Sequence, residues 1–323
     1  MSGRYEKDMQ IDNIVKSKLE TLPSVVTDYY YSLIGAGKSY ATAKVYIENI
    51  SHFIKFTFKE NCDEDFYTKI TSNHINRYIS SLRTKVVNGQ VKKTSDSHKT
   101  LNWSSLNSFF QFLVPDYIEN NPVANTNRPK MKDNPNVTYA TEKEITQIFD
   151  AVEKNANSRM KNRDLCILKL GFATGLRRSA IVQIDIDDLD LNHNQIKVTE
   201  KGDKDFYIII GEKLKAQILL WLEDREKYFN KANTNALFVS QENNRLSARS
   251  LKDIVDKYTV GIDKKITPHV MRHSCATNLY EKTGDIYLTA KQLNHKNVTT
   301  TQKYAELSKE KQKRAANILD DMI

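Results

Sequence analysis

Apolar residues recur with helical spacing through most of the chain. After Ser39, the residues Tyr46, Ile50, Phe53 and Ile54 fall at i, i+4, i+7 and i+8, one stripe of a 3.6-residue period, and Ser39 is placed to cap the first turn. The preceding stretch SVVTDYYYSLIGAG predicts a helix closed by Gly35 and Gly37. Ile70, Ile75, Tyr78, Ile79 and Leu82 predict another, which VVNGQ (86–90) interrupts. Leu101, Leu106, Phe109, Phe110 and Leu113 predict one more, closed near Pro115. Four helices with polar connections suffice for a compact bundle.

The pattern then lapses. From Tyr117 to Tyr139 the chain carries Pro122, Pro129, Pro135 and several asparagines with no apolar period, which reads as a linker. Arg128, Lys130 and Lys132 make it positive, so it is a candidate to lie along a phosphate backbone. Thr141-x-x-Glu144 is a capping box that opens a second helical region. In RDLCILKLGFATGLRRSAIVQI, Leu165, Leu168 and Phe172 share a face until Thr174-Gly175 breaks it. QIKVTEKGDKDFYIIIG alternates apolar and polar residues on both sides of Lys201-Gly202-Asp203, the signature of a β-hairpin. Helices are predicted over 214–229, 247–258, 267–282 and 286–293, with a helical tail from Ser308. The fold class is therefore mainly α with a small antiparallel β-sheet.

Composition narrows the function. No apolar run approaches the roughly 18 residues of a membrane span. The start, MSGRYEK, lacks the apolar core of a signal peptide, which predicts a cytoplasmic protein with no membrane partner. Cys62, Cys166 and Cys275 are too scattered for a disulfide framework or a zinc site. Lys and Arg outnumber Asp and Glu by 49 to 40, a net +9. That surplus favours a polyanionic partner, because each neutralised phosphate releases condensed counterions.

Four stretches hold groups suited to a phosphate: ATGLRRSA with Arg177, EKGDK with Lys201, TPHVMRHSCATNL with His269 and Arg272, and LNHKNVTTTQKYAEL with His295 and Tyr304. Paired guanidiniums neutralise non-bridging oxygens through bidentate hydrogen bonds that an ammonium cannot form. Phosphoryl transfer asks mainly for positioning and electrostatic stabilisation, so two arginines can supply much of what a metal would. The run Asp185, Asp187, Asp188 and Asp190 reads as a solvated turn rather than a magnesium site, and no Walker-type glycine loop is present. Metal, ATP and other cofactors are therefore expected to be unnecessary.

Taken in order, these stretches resemble the tyrosine recombinases, or phage integrases, including the Xer-type resolvases. TGLRRS, EKGDKDFYIII, TPHVMRHSCATNLYEKTGD and LNHKNVTTTQKYAEL carry the resemblance, the last two matching the H-x-x-R-H and L-G-H…T-x-x-Y boxes. It implies an N-terminal helical core-binding (SAM-like) bundle over 1–118, a linker over 119–138, and a C-terminal tyrosine-recombinase catalytic domain with a tail helix over 139–323. It makes Arg177 and Arg272 the phosphate clamp, Lys201 the hairpin lysine, His269 the histidine of H-x-x-R, His295 the residue ahead of the nucleophile, and Tyr304 the nucleophile. The proton that tyrosine must lose suits His269 as base, and the departing 5′ oxygen suits Lys201 as acid. The product would be a 3′-phosphotyrosyl link with a free 5′ hydroxyl. The implied partners are double-stranded DNA with recombination sites, gripped as by a C-shaped clamp, and accessory DNA-bending proteins. The implied assembly is a homotetramer on DNA, from a monomer or dimer off it, exchanging strands through a Holliday junction. Type IB topoisomerase relaxation and a non-catalytic DNA-binding regulator are the alternatives. Two positions depart from the family pattern: Ala180 replaces an acidic residue, and Asn294 replaces the glycine of L-G-H.

Overall fold

The computed structural model describes residues 2–59, 62–87, 90–130, 137–200, 204–232, 234–294 and 301. The chain divides into two compact units, 1–133 and 134–323.

Unit 1 is built on α1 (Ser2–Leu19), α2 (Ser24–Gly35), α3 (Tyr40–Phe58), α4 (Ser72–Ser81) and α5 (Asp96–Leu113). Ser39 caps α3 as its sequence predicts, its hydroxyl accepting from the Thr42 N–H. Ile50, Phe53 and Ile54 of the α3 stripe are buried, as are Leu106, Phe109, Phe110 and Leu113 of α5, whereas Leu101 is 39% exposed. Aromatic rings fill this core: Phe109 meets Tyr29 edge-on at 5.2 Å, and Phe53 meets Tyr78 at 5.3 Å. Two buried polar pairs tie α5 to its neighbours, Asn49 Nδ2 donating to Ser105 Oγ and Tyr78 OH to Asn102 Oδ1, both at 2.9 Å. Because a buried polar group without a partner is costly, these pairs fix how the helices face one another.

Two features of unit 1 differ from the sequence reading. Where the sequence shows a bare interruption there are two strands: β1 (Thr84–Val87) and β2 (Gln90–Lys93) pair antiparallel, with Val86 opposite Val91. The Pro- and Asn-rich stretch after α5 is also well anchored. Val123 is fully buried, Ser72 Oγ donates to the Pro122 carbonyl at 2.7 Å, Trp103 Nε1 to Thr126 Oγ1 at 2.8 Å, and Thr100 Oγ1 to the Pro129 carbonyl at 3.1 Å. Residues 122–129 thus lie along α4 and α5, and the division between units falls after Asp133.

Unit 2 opens with α6 (Glu142–Asn155) and α7 (Ser158–Thr174), followed by α8 (Arg178–Gln183). A three-stranded antiparallel sheet comes next, β3 (Leu189–Asp190), β4 (Gln195–Glu200) and β5 (Lys204–Ile209), in that order across the sheet. The helices α9 (Glu212–Phe229), α10 (Ala248–Tyr258), α11 (Pro268–Thr283) and α12 (Ile286–Gln292) complete the described part. The strands alternate as a half-buried sheet requires: Ile196, Val198 and Ile208 are buried while Tyr207 and Ile209 are exposed. Buried α7 is the hub. Its Arg163 donates to Asp164 and to the Val239 carbonyl, and Tyr258 of α10 donates to the other Asp164 oxygen at 2.8 Å, so the buried charges are paired.

The acidic run is engaged in local structure. The Asp185 N–H donates to Asp188, the Asp185 carboxylate pairs with Arg245, and Asp187 accepts from Asn235. Among the described residues no cluster of three or more His, Cys, Asp or Glu is placed to hold a metal, and no helix is long and apolar enough to cross a membrane.

Candidate active site

Three of the predicted site residues lie on two helix starts of unit 2. The TGL turn ends α7, and Gly175 occupies its C-cap at φ 64°, the left-handed region. Arg177, two residues on, is the exposed N-cap residue of α8. Thr267 caps α11, its hydroxyl accepting from the Val270 N–H at 3.2 Å, and Pro268 follows at a position where a missing N–H costs nothing. His269 is therefore exposed in the first turn of α11, and Arg272 stands one turn further in, only 4% exposed.

Arg272 joins the motifs. Its Nη1 donates to the Gly175 carbonyl at 2.7 Å, and its Nη2 donates to the Leu293 carbonyl at 2.6 Å. One buried guanidinium thus holds the turn that leads into Arg177 and the residue two positions before His295. Leu293 is itself buried against Cys275 and Ala276 of α11. Gly175 is required twice over: its φ is left-handed, and a Cβ there would lie 2.5 Å from Leu293 Cδ2 and 3.2 Å from Cys275 Sγ. The enclosure is tight enough that burial pushes the Cys275 thiol up to about 12, despite the opposing pull of Arg272.

His269 is braced from below. Its ring meets that of His273, one turn along α11, in an edge-to-face contact with centroids 4.3 Å apart. His273 is 9% exposed, so the outer imidazole rests on an inner one. The sequence reading assigns no role to His273 or Leu293, and takes Gly175 only as the break in the apolar pattern ahead of Arg177.

Both departures now have a structural setting. Asn294 adopts φ 48°, the conformation a glycine takes freely and asparagine tolerates better than most residues. Ala180 is buried in α8 within the unit's hydrophobic core. Lys201 follows Glu200, the last paired residue of β4, but residues 201–203 lie outside the described residues, as do His295, Tyr304, Lys132 and the tail from Ser308. Arg128 and Lys130 are exposed in unit 1 and line a cleft with Asn76, Ser80 and Trp103.

A model described as the phage integrase family matches residues 138–311, more than half of the chain. This chain belongs to the phage integrase family. The recombinase is 33% identical over 207 residues to tyrosine recombinase XerC of Psychromonas ingrahamii, across 63% of this chain and 68% of that protein. It is 29% identical over 294 residues to tyrosine recombinase XerD of Oceanobacillus iheyensis, across 89% and 95%. Its fold matches XerH site-specific recombinase in a post-cleavage complex with palindromic difH substrate, at a TM-score of 0.67 and 21% identity, over 87% of this chain and 80% of that one. It also matches a lambda integrase tetramer bound to a Holliday junction, at 0.65 and 18%, over 88% and 77%. At those identities the structural likeness is one of fold, mostly helical with the small antiparallel sheet that the sequence predicts.

Proposed function

We propose that this Xer-like tyrosine recombinase breaks and rejoins double-stranded DNA at specific sites, with Tyr304 as nucleophile. The observation that carries the reading is the double hydrogen bond of Arg272, which draws together the TGLR turn, the H-x-x-R helix and the start of L-N-H. Arg177 and Arg272 would neutralise the scissile phosphate as charge shifts onto its non-bridging oxygens. A phenol with an ordinary pKa near 10 must lose its proton as it attacks, and His269 is the base we assign to accept it. Lys201 would protonate the departing 5′ oxygen, and His295 would stand ahead of the nucleophile. The bond between phosphorus and the 5′ oxygen breaks as the one to the Tyr304 oxygen forms. The phosphotyrosyl link keeps the energy of the phosphodiester, so rejoining needs neither ATP nor metal.

Unit 1 would serve as the core-binding domain, with Arg128, Lys130 and Lys132 on backbone phosphates. Four copies would exchange strands between two sites through a Holliday junction. A nicked suicide substrate tests the chemistry. Wild type should leave an SDS-resistant protein–DNA adduct in the presence of EDTA, and Tyr304→Phe should leave none. An adduct formed by Tyr304→Phe would displace Tyr304 as nucleophile. Strand exchange confined to two copies of one site, rather than relaxation of any supercoiled plasmid, distinguishes recombination from topoisomerase action.

A further inference from the structure

The β1–β2 ribbon of unit 1 has no part in the chemistry above. Between Arg83 and Lys93 the chain carries four cationic residues, Arg83, Lys85, Lys92 and Lys93, and no acidic one. The register puts Lys85 directly opposite Lys92. Like-charged residues in directly opposed positions weaken a strand pair, and a lone two-stranded ribbon is marginal in water to begin with. The strands make their extensive contact with each other alone, and none of the described side chains from Arg83 to Lys93 joins the hydrophobic core. Val91 is 71% exposed, and Arg83 and Lys93 are exposed as well. The ribbon is tied to the bundle at its base, where the Thr94 N–H donates to the Arg83 carbonyl at 2.9 Å and Thr94 is buried. It is therefore a ribbon whose described side chains, from Arg83 to Lys93, are all exposed and whose charged residues are all cationic.

We infer that this ribbon is a separate DNA-gripping arm, whose partner is the phosphate backbone of duplex DNA. Charge complementarity selects that partner: an anionic surface relieves the Lys85–Lys92 opposition, and a two-stranded ribbon is of a width that the major groove admits. Flexible lysines bind phosphates as point charges, so the arm adds affinity and register rather than base readout. The inference rests on the recombinase reading, since it supplies DNA as the partner.

Salt dependence of DNA binding tests it. Wild type and the variant Arg83→Gln/Lys85→Gln/Lys92→Gln/Lys93→Gln are titrated with duplexes carrying or lacking the recombination site, across a range of salt concentrations. Each lost contact reduces the magnitude of the slope of log K against log salt by about 0.9, so loss of all four should reduce it by about 3.6, equally on both duplexes. An unchanged slope would overturn the inference, as would a loss confined to the specific duplex. Circular dichroism should show wild-type helicity, because the altered residues lie outside the helices, and the slope of a second variant, Arg83→Gln/Lys93→Gln, should fall between those of the other two. Adduct formation by the fourfold variant at saturating protein should persist. If wild type itself neither binds DNA with a steep slope nor forms an adduct, the recombinase reading has failed, and not the arm alone.

Discussion

Arg272 is a buried cation satisfied by two backbone carbonyls, and that choice of residue follows from what must be spanned. A planar fork reaches Gly175 and Leu293 together; a lysine ammonium offers one point charge on a flexible stem. Arg272→Lys should therefore cost about 1–3 kcal/mol of stability, measured by urea unfolding, because one buried carbonyl loses its charged donor. Adduct formation should fall on the order of 100-fold, as for loss of a preorganised donor at a developing charge. Gly175→Ala acts on the same joint from the other side. It combines a left-handed backbone with a 2.5 Å approach to Leu293, and should destabilise unit 2 by roughly 1–3 kcal/mol while lowering adduct yield. Asn294 makes the complementary case. Asn294→Gly should keep cleavage within about threefold of wild type, whereas Asn294→Val should cost roughly 1–2 kcal/mol, a β-branched residue being strained at positive φ. The sequence shows Asn294 as a departure; only the dihedral shows that the position takes a backbone conformation suited to glycine.

Helix starts and stripes were legible because their signals are local. Ser39 and Thr141 cap helices as the sequence predicts, Ser247 and Thr267 also cap the helices predicted to begin there, and the α3 and α5 stripes supply much of the unit 1 core. The Thr141 box also makes a pH prediction. Burial alone would raise the Glu144 carboxyl, but the Lys264 ammonium and the Thr141 N–H and hydroxyl hold it below the ordinary carboxylate value. A depressed folded value means that its contribution is complete above the unfolded value of about 4.3 and fades as pH falls through the folded one. Glu144→Ala should therefore destabilise unit 2 by about 1 kcal/mol near neutral pH, with the gap to wild type in urea midpoint closing below about pH 4. Other elements were missed for physical reasons. The apolar pattern shows VVNGQ (86–90) only as a break after a helix, although Asn88-Gly89 between Val87 and Gln90 is a strong hairpin signal. The stretch 122–129 lacks any apolar period because it is held mainly by hydrogen bonds to its carbonyls and to Thr126, which no pattern of apolar residues can reveal.

At the scale of the molecule, each unit has its own core, and the proposed chemistry belongs to the second. The order of the motifs along the chain was readable, and so was the chemistry their side chains suit. What the sequence lacked was the joint: nothing in TGLR, H-x-x-R or L-N-H says that one guanidinium bonds the other two segments through their backbones. That convergence brings the Leu293 backbone to the same guanidinium as the Gly175 turn. The most direct test isolates the covalent adduct from a nicked site, digests it with trypsin and sequences the peptide left on the DNA. Cleavage after Lys303 and Lys309 gives YAELSK, in which Tyr304 is the sole tyrosine. DNA attached to the 304–309 peptide through the Tyr304 oxygen, at a 3′ phosphate, is the predicted result. Attachment through any other residue, or to a 5′ phosphate, would contradict it.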